Sequence, residues 1–203
     1  MTPGSLLIDR FLSRYDLSVV HASVLPAPPE DCYRAARQLD LLRDPIIRTL
    51  LGLRSLPNRL ADRLGGRQRT APTGAEPPRT FTLDDMVRYG WVLLDEQPSV
   101  EIVFGQIGRP WKAVGASSGP PVAPAAFADF DQPGFAKIAF NLRVEPYGAG
   151  SSILTIETRV ALTDPQSLRR FKRYWILIAP FSDLIRRIAL RLVAADLRRS
   201  GHS

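Results

Sequence analysis

The stretch from Asp164 to Arg199 sets the terms for the rest of the chain. Apolar residues recur there at Leu168, Phe171, Trp175, Ile178, Leu184/Ile185, Ile188 and Leu192. That three-and-four spacing gathers side chains on one face of an α-helix. The opposite face carries Arg169, Arg170, Lys172, Arg173, Arg186, Arg187, Arg191, Arg198 and Arg199. Thr163 or Asp164 can cap the start, and Pro165 stands where a missing N–H costs nothing. Pro180 lacks the N–H of a mid-helix bond and predicts a kink, with Ser182 placed to restart the helix. A helix this apolar along one side needs a large surface to lie on, and the preceding strands supply it.

The clearest strands form a hairpin. Ile138, Phe140, Leu142 and Val144 alternate with Lys137, Asn141, Arg143 and Glu145. After the turn at 146–150, Leu154, Ile156, Thr158 and Val160 alternate with Thr155, Glu157 and Arg159. One face is apolar and the other charged, which predicts an antiparallel sheet with one wet side. Earlier, Tyr15, Leu17, Val19 and His21 alternate with Asp16, Ser18, Val20 and Ala22, giving a half-buried strand. From Phe81 the period-two pattern returns. Val87, Tyr89, Trp91 and Leu93 form one series, and Val100, Ile102 and Phe104 continue it after a turn at Glu96-Gln97-Pro98-Ser99. Gly105 and Gly108 predict a bulge or a close approach.

Helical and irregular segments fill the rest. Residues 1–14 read as a short leading helix through Leu6, Leu7, Phe11 and Leu12. Glu30 to Leu42 reads as a helix with Cys32, Ala35, Ala36 and Leu39 inward, and Ile46 to Leu53 as another. Ser55 or Asn58 can cap a further short one ending at Gly65-Gly66. Residues 67–80 have no periodicity and are rich in Pro, Gly and Thr, which predicts a mobile loop. Gly115 to Pro124 is a proline-rich connection to a short helix at Ala125 to Phe130. Gln132-Pro133-Gly134 has the Pro-Gly pair of a type II turn.

Composition narrows the function classes. At 203 residues, with 45% hydrophobic and 23% charged content, the chain suits one domain over residues 1–203. No apolar run reaches the roughly 18 residues of a membrane span. Met1 to Asp16 lacks a long apolar core, so no secretory signal is expected. The one cysteine, Cys32, excludes an internal disulfide and fits a reducing cytoplasm. Two histidines and one cysteine without paired ligand spacing predict no metal site. Gly105-Gln106-Ile107-Gly108 lacks the lysine and helix start of a phosphate loop, so no cofactor is expected. The net charge of +7 permits an acidic partner. A solvated arginine face accounts for it more simply than nucleic-acid binding.

The order of elements resembles the helix-grip fold of the START/Bet v 1-like (SRPBCC) superfamily. The resemblance runs from about Tyr15 to Arg199. VLPAPPEDCYRAA at Val24–Ala36 is similar to that superfamily's exit from its first strand into its first helix. FGQIGRPW (Phe104–Trp111), FDQPGFAKIAF (Phe130–Phe140), TIETRV (Thr155–Val160) and RRFKRYW…PFSDLIRR (Arg169–Arg187) together resemble a bacterial branch of it. The resemblance implies an α+β domain, a curved antiparallel sheet wrapped around a long C-terminal helix at 164–199. Lipid carriers, hormone receptors and polyketide cyclases share that fold, so it implies a cavity and no particular reaction.

A strongly curved sheet meets a straight helix well at its ends and poorly at its middle, leaving an apolar gap suited to a small hydrophobic ligand. By alternation His21, Tyr89, Trp91, Phe104, Gln106, Phe140 and Thr158 face that gap from the sheet, and Trp175 from the helix. His21, Tyr89, Gln106 and Thr158 are the polar handles. The plain alternative is that the aromatics fill the core and the polar atoms bond backbone. His21, or a dyad of His21 with Tyr89 or a carboxylate, is the candidate for proton transfer in a cyclase/aromatase-like enzyme. A third reading is a basic interaction protein contacting nucleic acid or anionic lipid. Residues 46–64, with Arg48, Arg54, Arg59 and Arg63, can form a lid, a membrane-surface contact or an ordinary packed insert. Glu157 and Arg159 are expected to pair across strands on the outer face, unless a bulge turns Glu157 inward as a buried carboxylate.

Overall fold

The computed structural model describes residues 6–49, 80–112 and 119–200. A short helix α1 (Leu7–Phe11) precedes strand β1 (Leu17–Leu25), helix α2 (Pro29–Arg37), a 3₁₀ turn (Leu41–Arg43) and a helical turn α3 at 45–49. A 3₁₀ helix (Asp84–Tyr89) leads into β2 (Val92–Gln97) and β3 (Glu101–Gly108). Another 3₁₀ turn (Pro124–Ala126) precedes the hairpin β4 (Ala136–Pro146) and β5 (Ser152–Leu162), and α4 (Pro165–Ser200) ends the described chain. The strands make one antiparallel sheet in the order β1-β5-β4-β3-β2. This is the helix-grip architecture: an antiparallel sheet followed by a long helix lying on one face. The loop expected at 67–80 lies outside the described residues apart from Thr80, as do most of the helices expected at 46–64.

Asp164 starts α4 as its side chain suggests. One oxygen accepts the N–H groups of Gln166 and Ser167, both at 2.9 Å, and the other accepts the Gly134 N–H at 2.6 Å. The cap therefore ties the helix to the turn before β4, where Gly134 has φ 93°. α4 runs unbroken through Pro180. Ser182 does not restart it but accepts a hydrogen bond from Arg186 at 2.8 Å.

The inner face of the sheet carries the expected series. Leu154, Ile156 and Val160 on β5 sit beside Val144, Leu142 and Ile138 on β4, and Leu142 and Phe140 sit beside Ile102 and Phe104 on β3. Most of these join α2 and the C-terminal half of α4 in the main core, with Cys32, Tyr33, Ala189, Leu190 and Val193. Burial pushes the Cys32 thiol up to about 11, consistent with an inert core residue.

Two expectations fail. Residues 87–91 are not strand. Asp84–Tyr89 is 3₁₀ helix, Gly90 closes it at φ 83°, and the strand begins only at Val92. Period-two alternation in so short a window does not separate strand from a tight helix closed by glycine. The outer face is also wet only in part, since Val20, Ala22 and Val24 on β1 stay exposed while the region over β3 and β4 does not. α1 and the segment around Phe127 and Phe135 cover it, so Ile8, Leu12, Val103, Ile107 and Ala139 form a second core.

Glu101, Asn141, Glu157 and Arg159 on that face are buried as a network. The Asn141 amide donates to Glu101 at 2.6 Å and its oxygen accepts the Glu157 N–H at 3.2 Å. Arg159 donates to Glu157 at 2.7 Å and to Asp9 at 2.6 Å, pairing along its own strand and with α1 rather than across strands. Glu157 points away from the helix side of the sheet, so the inward carboxylate is not realised. Glu101 accepts the N–H groups of Leu7 and Ile8, while Arg159 donates to the Leu12 carbonyl at the far end of α1. An anion at the start and a cation at the end suit the helix dipole.

Gly105 is the close approach expected. A Cβ there would lie 2.7 Å from the Phe127 ring and 2.8 Å from Leu94. Gly105→Ala is expected to cost about 1–3 kcal/mol by overpacking. Asn141→Leu is expected to cost about 1–3 kcal/mol by leaving the Glu157 N–H unpaired and removing one of the donors to Glu101. Urea unfolding midpoints at constant m-value check both.

Candidate functional site

The helix buries side chains against the sheet near its start and again further on. Near its start Phe171 packs with Ala136, Val160 and Trp111, and Trp175 stacks on Phe171 with ring centroids 5.8 Å apart. Further on, Ile188, Ala189, Leu190 and Val193 are buried. From residue 172 to residue 187 none is. Beneath that span the sheet presents a cross-strand row of Val19, Thr158, Phe140 and Phe104. Only Phe104 of the four is fully buried.

Polar side chains collect in this span. His21 Nε2 lies 2.5 Å from Asp183 Oδ1, and Asp183 also accepts from Arg187 at 2.7 Å. The hydrogen bond from His21, aided by Arg187, holds the Asp183 carboxyl below its ordinary range. Nε2 therefore donates to the Asp183 carboxylate, which turns the other ring nitrogen, Nδ1, away from it. That Nδ1 atom is buried and has no hydrogen-bond partner among the described residues.

Arg186 lies beside this pair. It donates to the Thr158 hydroxyl at 3.0 Å and to Ser182. Burial between helix and sheet lowers its pKa from the ordinary value. Arg186 therefore departs from the outward arginine face to which helical spacing assigned it.

Of the other expected residues, Gln106 and Tyr89 lie outside this span. Phe104 and Phe140 lie in the core with ring centroids 6.5 Å apart, and Trp91 meets Phe140 edge-on at 6.4 Å. Gln106 donates to the Tyr89 carbonyl at 3.3 Å. Gln106 and Trp91 border a cleft of about 500 Å³ where β2 and β3 meet the segment from Gly119 to Phe127. Tyr89 is 48% exposed on its 3₁₀ helix, its ring 5.2 Å from that of Phe81. β1 and β2 are the two sheet edges, about 19 Å apart at four strand spacings. His21 and Tyr89 accordingly make no dyad. The partner of His21 is a carboxylate, Asp183.

A second cleft, of about 380 Å³, runs between the β1 edge and α4 and is bordered by His21, Leu190, Arg187 and Arg191. His21 thus stands between the span under the helix and an opening on the surface. Sequence reasoning missed Asp183 and Arg186. A signal was present for Arg186, because Ser182, Arg186, Ala189 and Val193 follow at steps of four, three and four. Ala189 and Val193 are among the most buried residues of α4.

No family model and no curated protein matches the chain. Among solved structures, it is similar to the Mll3558 protein of Rhizobium loti, 15% identical with TM-score 0.40, covering 88% of this chain and 95% of that one. A conserved protein from Geobacillus kaustophilus is 12% identical with TM-score 0.38, covering 91% and 97%. Norcoclaurine synthase from Thalictrum flavum is 12% identical with TM-score 0.36, covering 95% of each chain. At such identities and scores no site residue transfers to this chain, and the fold rests on the sheet and helix described above.

The depressed Asp183 pKa has a signed consequence. The His21–Asp183 contact contributes stability above the ordinary carboxylate pKa, and that contribution is lost as pH falls through the depressed value. Asp183→Asn is expected to lower the melting temperature at neutral pH. The difference from the parent is expected to shrink at pH below the carboxylate range, as thermal unfolding at both pH values will show.

Proposed function

We propose that the chain, acting as one cytoplasmic domain over residues 1–203, binds a small hydrophobic or lipid-like molecule between the sheet and α4. One observation carries this reading: α4 is packed at both ends and bears no buried residue from 172 to 187. A helix fully served by its sheet would bury a residue on every turn. Val19, Thr158 and Phe140 face the same span and are only partly buried, so an apolar guest there would remove apolar surface of both layers from water. His21, Thr158 and Arg186 are the polar groups placed to orient it, with Trp175, Trp91, Phe104 and Phe140 as the aromatic walls. Gln106 belongs to the cleft at the far edge, and Tyr89, whose carbonyl accepts from Gln106, is assigned to the rim beside it.

A second reading has its own observation, the unpartnered Nδ1 of His21 behind an Nε2 held by Asp183. That arrangement suits a general base acting on a bound compound, as in a cyclase-like enzyme. The two readings share one cavity and differ only in turnover.

Native mass spectrometry of the purified protein is expected to reveal a co-purifying small molecule, released on denaturation. Thr158→Trp, which fills the span, is expected to abolish that adduct while preserving the far-UV spectrum. An adduct of unchanged mass and occupancy in that variant would overturn the binding reading. Turnover that survives His21→Ala would remove the histidine from any reaction.

A further inference from the structure

We infer that the outward ridge of α4 is a docking surface for an anionic lipid bilayer. Arg169, Arg173, Leu177, Leu184, Arg187 and Arg191 follow one another along the helix at steps that keep them on one side, and all six are exposed. Between the arginine groups lies an apolar patch. Ile176 is 78% exposed, Leu177 68%, Phe181 45% and Leu184 36%. These side chains point away from the sheet and stay largely exposed. Isolated surface leucines are ordinary, whereas four neighbouring large apolar residues on one helix mark a contact.

The charge pattern selects the occupant. Asp183 is the one carboxylate on α4 before Asp196, and it is engaged by His21 and Arg187. Arg169, Arg170, Lys172, Arg173 and Arg191 have no ion-pair partner among the described residues. A second copy of the chain fits poorly. An antiparallel pairing centred on Pro180 would set Arg169 and Arg173 against Arg187 and Arg191, and a parallel one would set each group against itself. A nucleic acid would satisfy the arginines but lay its phosphates over Ile176, Leu177, Phe181 and Leu184.

An anionic membrane surface meets both demands. Its headgroups answer the arginines, and its acyl boundary accepts the apolar side chains. The spacing fits as well. The patch spans about 12 Å of helix axis and the arginine groups about 33 Å, so the helix can lie flat with apolar residues at the centre and cations at each end. No helix among the described residues is long and apolar enough to cross a membrane, which makes this a surface contact.

The test uses the full chain and sedimentable vesicles of phosphatidylcholine with or without phosphatidylserine. The protein is expected to pellet with the serine-containing vesicles and to remain in solution with phosphatidylcholine alone. Leu177→Ser/Phe181→Ser should weaken pelleting at least tenfold, and Arg169→Gln/Arg173→Gln by a similar factor, since each basic residue near such a surface is worth about fivefold. Raising the salt should release the parent protein. Both variants change exposed residues, and unchanged melting temperatures will show that they fold.

Equal pelleting with both vesicle types would overturn the inference, as would pelleting that the variants leave intact. Lipid recovered with protein in the supernatant, without pelleting, would overturn docking while supporting the ligand cavity. A concentration-dependent dimer abolished by Leu177→Ser/Phe181→Ser would reassign the patch to self-association. Nucleic-acid retention indifferent to that variant, in the absence of pelleting, would reassign the arginines.

Discussion

The packing of α4 at two separated places governs most of what is distinctive here. Burial of Phe171 at one end and of Ile188 to Val193 further along fixes the helix to the sheet, because each large apolar side chain removed from water contributes about 1.5–3 kcal/mol. The Asp164 cap adds a directional tie to Gly134 and so sets where the helix begins. Between these anchors no residue of the helix from 172 to 187 is fully buried. The partly buried row from Val19 to Phe140 and the polar cluster around His21 lie along that span.

The opposite face of the sheet supports the arrangement. α1 and the segment around Phe127 and Phe135 bury part of that face. α1 lies over β3 and β4, with Glu101 at its N-terminus and Arg159 reaching its C-terminus. Charges removed from water in this way are tolerated because each has several hydrogen-bonded partners. An ion pair left half satisfied would destabilise instead. The outer face therefore works as a second core with a polar lattice inside it.

The candidate site and the outward ridge share one length of helix. Residues 172–187 present Ser182, Asp183 and Arg186 to the sheet side, and Ile176, Leu177, Phe181 and Leu184 to the outside. Placing an arginine inward and leucines outward reverses the usual arrangement of a surface helix. That reversal is confined to the span where the helix is not packed. A purely structural helix would gain stability by exchanging these residues, which is the physical reason to read the span as functional.

Much of the fold was legible in the residues themselves. The β4–β5 hairpin, a cap at Thr163 or Asp164 and the placement of His21 and Thr158 on the helix side all came from local patterns, since strand and helix periods depend only on backbone geometry. The stretch from Val87 to Trp91 was misread because so short an alternation does not exclude a 3₁₀ helix ended by glycine. The pairing of His21 with Asp183, 162 residues apart, had no local signal, because it depends on how α4 crosses β1. The sequence by itself determined an antiparallel sheet with an apolar face and a long helix to cover it. Only the tertiary structure decided that the middle of the helix buries no residue, that Arg186 turns inward and that Glu101, Glu157 and Arg159 are buried. Those outcomes depend on the separation and overlap of elements far apart in the chain, which no local period encodes.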